Sequence, residues 1–320
     1  MPRPLVTVIC LCYNHAAFVQ EAIESVFNQT YKPIQIIIVD DASTDNSVEV
    51  INNVIKRRPD IAFLPLHSNH GICKAFNKAL PLVQGEFIID FATDDVMLPQ
   101  RIEKQIAAFD DSDKQYGVVF TDAVYISETG TFIRNHFDYL FSKKLLTDIP
   151  EGDVYKDILS IYFVAAPTMM VRREVYDQLQ GYDETLAYED FDFWVRSSRS
   201  YKYHFLDEKL TKIRLTKKSM SAALYQKGDA QLYSTYLVCK KAMGFIKNEV
   251  EQHSLLKRIR YELRHAVFTR NKKEAMLLYH LLIDLSGVTF KDRFCFYLGK
   301  LNLPLSWMRN LYHSIMFPQQ

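Results

Sequence analysis

The chain alternates unbroken apolar runs that stop at polar corners with segments whose apolar residues return every three or four positions. VTVICLCYN, from Val6 to Asn14, is the first run and reads as a strand buried on both faces. Asn14 is placed to cap the next element, in which Phe18, Val19, Ala22, Ile23, Val26 and Phe27 recur at helical spacing. QTYKP then breaks that helix, and IQIIIVDD forms a second buried strand. Val48, Ile51, Val54 and Ile55 mark a second helix after ASTDNS. IAFLPL is a third strand, placed at an edge by Pro65. Gly71 lies in a loop, and Ala75 to Val83 reads as helix. EFIIDFA is the next strand, Pro99 suits the first turn of a helix running to about Phe109, and YGVVFTDA is another strand. This alternation to about residue 125 predicts parallel strands, right-handed crossovers and helices on both faces.

Beyond that point the pattern loosens. SETG (127–130) reads as a hairpin turn, and 134–150 as irregular and aromatic. Residues 167–196 pack a strand, a short helix, a loop and a second helix, and KYHFLDEKLTKIRLT supplies closing strands. After about Lys217 the pattern is helical, which divides the chain into 1–220 and a helical region 221–320.

Acidic residues fall at informative places in this pattern. Asp40 and Asp41 end one apolar run, and Asp94 and Asp95 follow another. Ligands of such sheets gather at the carboxyl ends of the strands. Both pairs are therefore expected to line a binding edge rather than to be buried. One of Asp94 and Asp95 suits a divalent cation whose other positions are filled by phosphates, and the other suits a sugar hydroxyl. The plainer alternative is an acid-rich helix start before Pro99. Asp41 suits the edge of a nucleobase with Tyr13 stacked on the ring, and capping of the next helix is its alternative. Glu189, Asp190 and Asp192, in YEDFDFW, are either another acid-rich helix start or the home of a general base. The first turn, CYNHAAF, has no G-x-G-x-x-G and no Gly-rich basic loop, which disfavours a nicotinamide enzyme and a nucleotidyltransferase.

Five segments in order, VTVICLCYN, IIIVDDASTDNS, NHGICKAFNKAL, GEFIIDFATDD and GYDETLAYEDFDFWVR, resemble the family 2 glycosyltransferases of the GT-A fold group over roughly residues 5–220. The resemblance implies an α/β fold with a mixed, mostly parallel central sheet and flanking helices, to which this chain adds a C-terminal helical appendage. It implies an enzyme that moves one sugar from a nucleotide-sugar, here a UDP-sugar, to a glycan or lipid-linked glycan with inversion. It places Tyr13 and Asp41 at the base, Asp94 at the ribose and Asp95 on a Mn2+ or Mg2+ ion bridging the diphosphate. Asp190 becomes the catalytic base, with Gly181 in the turn that precedes it. The chain departs from the pattern twice. Phe76 and Asn77 stand where many relatives carry Arg-Asn, leaving Lys74 as the nearby cation. Arg214 is followed two residues later by Thr216 instead of a metal-site histidine, so Thr216, or Lys217 and Lys218, must compensate. A non-catalytic binding protein that keeps the fold is the rival reading. Absence of a Q-x-x-R-W pattern favours single addition over processive synthesis.

Composition adds boundaries. The 320 residues carry a formal net charge of +1, which offers nothing to nucleic acid. Cys10, Cys12, Cys73, Cys239 and Cys295 lack the spacing of a zinc site and read as reduced thiols of a cytoplasmic protein. No run is long enough to span a membrane. His70, His136 and His204 are isolated in the sequence and read as surface or satisfied histidines. From Lys257 onward cations outnumber acids, so the C-terminal helices are either a solvated basic appendage or a peripheral contact with an anionic membrane, with Trp307, Tyr312 and Phe317 at the interface.

Overall fold

The computed structural model describes residues 3–56, 58–110, 112–216 and 226–301. Its first half follows the hydrophobic pattern closely. Strands β1 (Val6–Cys12), β2 (Ile34–Asp40), β3 (Ala62–Pro65) and β4 (Phe87–Ala92) alternate with helices α1 (Val19–Phe27), α2 (Ser47–Ile55) and α3 (Ile72–Ala79). β1 lies parallel to both β2 and β4, and β3 runs parallel to β2 at the sheet edge, where the proline of that strand costs least. A two-residue strand β5 (Val96–Met97) and helix α4 (Arg101–Asp110) follow the Asp94–Asp95 turn.

The second half departs from simple alternation. β6 (Tyr116–Ile126) turns back through Ser127–Gly130 into β7 (Phe132–Asn135), the expected hairpin. A short helix, α5 (His136–Ser142), occupies part of the segment expected to be irregular, and a second, α6 (Tyr155–Ser160), follows it. β8 (Met170–Arg172) inserts antiparallel between β4 and β6, and leads into α7 (Arg173–Leu179) and α8 (Asp190–Ser197). The closing strands are a single bulged strand, β9 (Lys202–Arg214), parallel to β6 and antiparallel to β5. The nine-stranded sheet thus runs β3-β2-β1-β4-β8-β6-β9-β5, with β7 beside β6. The C-terminal helices are α9 (Ala230–Met243), α10 (Glu249–Phe268), α11 (Lys272–Asp284) and α12 (Phe290–Lys300).

Two apolar cores flank the sheet. One packs α1, α2 and α4 through Ile23, Ile51, Ile102 and Phe109 against β1, β2 and β4. The other continues without a break from Ile9 and Phe120 through Tyr155, Phe191 and Trp194 to Leu232, Leu255 and Leu278. The C-terminal helices therefore share their core with the sheet. Among the described residues, no helix is long and apolar enough to cross a membrane.

Candidate active site

Because β1, β4, β6 and β9 run the same way, their carboxyl ends share one edge of the sheet. Tyr13 caps β1 there, 44% exposed, with an open aromatic face. Asn14, at φ 59°, turns the chain back instead of capping α1, and its side chain accepts from Thr44 N–H at 2.7 Å. The ASTDNS loop is thereby stitched to the first corner.

The acids do sit at this edge, but the expectation that they are unburied fails for three of four. Asp40, Asp41 and Asp95 are buried, because neighbouring backbone and hydroxyl donors replace water around them. Asp40 is spent on Ser43, accepting from its N–H at 2.9 Å and its hydroxyl at 2.5 Å. Asp41 accepts from the N–H groups of His70 and Gly71, both at 2.8 Å, and so fixes the loop that enters α3. Each oxygen keeps a second lone pair for another donor. Lys74, one turn into α3, is half-buried. Phe76, the departure next to it, is core, against Tyr176 and Tyr182. Asn77 brackets Tyr182, donating to its carbonyl at 2.8 Å and accepting from its N–H at 2.9 Å. Gly181 is required at φ 77°, since a Cβ there would stand 2.4 Å from Asn77 Oδ1.

The Asp94–Asp95 turn is gripped by a residue the sequence reading used only as a landmark. Arg214, buried at the end of β9, donates its backbone N–H to Asp95 Oδ1 at 2.8 Å and its Nε to the Asp94 carbonyl at 2.9 Å. Its Nη1 reaches the carbonyls of Ser127 and Glu128 at 3.3 and 3.1 Å, and its Nη2 the Glu21 carboxylate at 2.7 Å. Beneath the turn lies Arg101, fully buried and bound to Gln105 and the Met169 carbonyl, with burial lowering its pKa to about 9 against the pull of Asp95. Burial, then the neighbouring Asp94, pushes Asp95 well above the ordinary carboxylate range, opposed by the Arg214 N–H and the two guanidiniums. A divalent cation would favour the ionised form.

The donor set fits such an ion. Two adjacent carboxylates at an edge suffice for Mg2+ or Mn2+ when phosphates and water supply the other positions. Among the described residues no three His, Cys, Asp or Glu side chains converge into a protein-only cage. Thr216 is half-buried just past β9, and Lys217 and Lys218 lie outside the described residues.

Asp190 opens α8, with one carboxylate oxygen buried and lacking a hydrogen-bond partner. Burial pushes its pKa up to about 6, which Glu189 partly offsets by hydrogen bonding. Glu189 is itself raised by burial and by the charges of Asp190 and Asp90. Asp90, a β4 residue that sequence reading passed over as part of an apolar run, accepts from Tyr182 Oη at 2.9 Å, and Tyr182 meets Tyr176 Oη at 3.2 Å. Burial raises Asp90 to about 7 despite the Tyr182 bond, and Asp190 adds to the rise. Asp192, the third acid of this segment, is structural: it is buried between Arg196 at 2.7 Å and Lys241 at 2.6 Å. Tyr125, on β6, is within electrostatic reach of both clusters. Burial pushes its hydroxyl to about 12 against the nearby Arg134, and Asp95, Asp122 and Asp190 all raise it further. Its hydroxyl lies 3.3 Å from Nδ1 of His136, whose Nε2 donates to the Phe163 carbonyl at 2.7 Å, so His136 is the satisfied histidine expected.

Residues 7–180 match the model of glycosyl transferase family 2. The chain belongs to that family. An uncharacterized glycosyltransferase of Methanocaldococcus jannaschii is 28% identical over 243 residues, 74% of this chain and 79% of the relative. The putative teichuronic acid biosynthesis glycosyltransferase TuaG of Bacillus subtilis is 26% identical over 221 residues, 69% and 82% of the two chains. Among solved structures, S. aureus TarS 1–349 in complex with UDP-GlcNAc aligns with TM-score 0.67 and 17% identity, over 98% of this chain and 92% of that one. The mannosyltransferase PcManGT of Pyrobaculum calidifontis, in complex with GDP-Man and Mn2+, aligns with TM-score 0.61 and 17% identity, over 98% and 86%. This family 2 glycosyltransferase thus has the GT-A fold.

Proposed function

We propose that the protein transfers one sugar, with inversion, from a UDP-sugar to a hydroxyl of a glycan or lipid-linked glycan. The observation that carries this reading is the pair of acid sites itself: the Asp94–Asp95 turn held by Arg214 at the carboxyl edge of the sheet, and at the start of α8 a buried Asp190 oxygen with no hydrogen-bond partner. Tyr13 stacks on the base and Asp41 holds its edge, Lys74 supplies positive charge beside the donor, and Asp94 binds the ribose or shares the metal. A Mg2+ or Mn2+ ion on Asp95 would stabilise the diphosphate as a Lewis acid. Asp190 takes the acceptor hydroxyl's proton as that oxygen bonds to the anomeric carbon from the face opposite the diphosphate. The bond to the diphosphate breaks, and its electron pair leaves with UDP. A carboxylate pushed to about 6 suits this role, being ionised near neutrality yet more basic than an exposed aspartate. The test is calorimetric titration of nucleotide diphosphate sugars, with and without Mn2+, on wild type and Asp95→Ala. One donor bound only with metal, and lost in the variant, supports the reading. No donor bound under any condition favours a non-catalytic protein with this fold.

On the acceptor side, the C-terminal helices make a peripheral contact with an anionic membrane, and α12 is the surface that fits. Phe290, Phe294 and Tyr297, with Leu301 just beyond, are 83%, 63%, 58% and 64% exposed and form one stripe at helical spacing. Lys291, Arg293 and Lys300 are exposed around it, while the only acid of α12, Asp292, is turned inward to Thr289 and Arg260. An aromatic stripe flanked by cations suits the interface of an anionic bilayer. Trp307, Tyr312 and Phe317 lie outside the described residues. Flotation with anionic vesicles, lost in a Phe290→Ser/Phe294→Ser variant, supports this contact; equal recovery with neutral vesicles argues against it.

A further inference from the structure

The departure that most troubles a metal site here is the histidine missing two residues after Arg214. A different histidine reaches Asp94. His15, in the corner after β1, has Nε2 3.8 Å from Asp94 Oδ2 and Nδ1 2.9 Å from Thr93 Oγ1.

The direction of these bonds follows from proton counting. The Thr93 hydroxyl has one proton, which it donates to the Leu11 carbonyl at 3.0 Å. Thr93 Oγ1 can therefore only accept from His15, and the proton of a neutral imidazole sits on Nδ1. Nε2 then presents a bare lone pair to a carboxylate oxygen. Two acceptors face each other at 3.8 Å, well beyond the 2.7–2.9 Å or so of a charge-assisted hydrogen bond. A cation held at about 2.1 Å from each donor fits between donors up to about 4.2 Å apart. The His15 backbone is firmly placed: its N–H donates to Ser47 Oγ at 2.9 Å, and its carbonyl accepts from the N–H groups of Phe18 and Val19, both at 2.8 Å. An N–H held by a neighbouring acceptor on the far side of the ring is the usual support of a metal-binding histidine.

We infer that His15 Nε2, with Asp94 Oδ2 facing it, is a ligand of the divalent cation that binds at this turn with the diphosphate, and that Thr93 is its positioning residue. This rests on the metal-assisted reading above. His15 takes the place of the absent histidine from a different strand end, and Thr216 need not bind the ion.

The test is spin-echo envelope modulation on Mn2+ bound to the full chain with UDP, unlabelled and with 15N-histidine. The expected result is a directly coordinated imidazole nitrogen that changes with the label and disappears in His15→Asn. Mn2+ affinity by titration should fall roughly 10-fold or more in His15→Asn, and less in Thr93→Val. Mn2+ bound without a histidine nitrogen signal, or with a signal that survives His15→Asn, overturns the assignment while leaving the metal reading standing. No Mn2+ bound with UDP at all removes both. If His15→Asn proves unstable, absence of a histidine nitrogen signal in the labelled wild type still overturns the assignment, and loss of the signal in His15→Gln supports it.

Discussion

The two acid clusters of the site hold the same kinds of residue in opposite surroundings. Asp94 and Asp95 are set among Arg101, Arg214 and His15. Asp90, Glu189 and Asp190 are set among phenols, with Tyr182 and Tyr176 as the nearby polar groups. Burial raises carboxylates in both places, but only the first has cations to oppose it. In the first cluster a bound divalent cation would add to that opposition and favour the ionised Asp95. In the second, Asp190, pushed to about 6, can exchange a proton near neutrality, which suits a base.

The largest expected effect lies in the second cluster. Asp190→Asn should lower kcat/KM by about 10²–10⁴-fold while donor affinity by calorimetry stays near wild type. Parallel loss of donor binding would assign Asp190 to the first cluster's work and erase the distinction. Next comes Arg214→Ala, which frees the turn carrying Asp94 and Asp95. Each buried acceptor it abandons costs about 1–3 kcal/mol, so the melting temperature should fall by several degrees and metal-dependent donor binding should fall with it. An unchanged melting temperature would show that the grip on the turn is dispensable. Gly181→Ala strains the loop before Asp190, with an expected loss of more than about 1 kcal/mol in denaturant unfolding.

The smallest effect is a shift with pH. Wild-type kcat/KM should fall as pH drops through about 6, where Asp190 takes up a proton. Asp90→Asn should leave that limb near its wild-type position, because Asp90, raised to about 7, is already largely protonated where Asp190 titrates. The stability effect has a definite sign. Asp90 binds its proton more tightly folded than unfolded, so its contribution is full below about pH 4 and is lost as pH rises through about 7. Unfolding of Asp90→Asn should lose this slope, and a slope kept in full would place it elsewhere.

Much of the fold could be read from the chain because β1, β2 and β4 are unbroken apolar runs and α1 and α2 keep helical spacing. The carboxyl ends followed from their order, and the acids there were legible. β8 was legible as a strand, but its antiparallel place between β4 and β6 was not, since three residues carry no sign of direction. Burial of Asp41 and Asp95 was not legible because their partners arrive from other segments, His70 and Gly71 on the one and Arg214 on the other, whereas Asp40 is held by Ser43 of its own corner. Asp90 was hidden for the reverse reason: a single acid inside an apolar run reads as strand unless its tyrosine partner is known.

Lys241, on α9, grips Asp183 and Asp192 at once, on either side of the segment that presents Asp190. The sheet alone therefore does not make an interchangeable module. A chimera joined near residue 220 would inherit the base but lose the cation that steadies the loop and the first turn of α8 around it. Grafting a new acceptor-side region onto this enzyme would have to carry a lysine at that position on its first helix, or redesign both aspartates along with the graft.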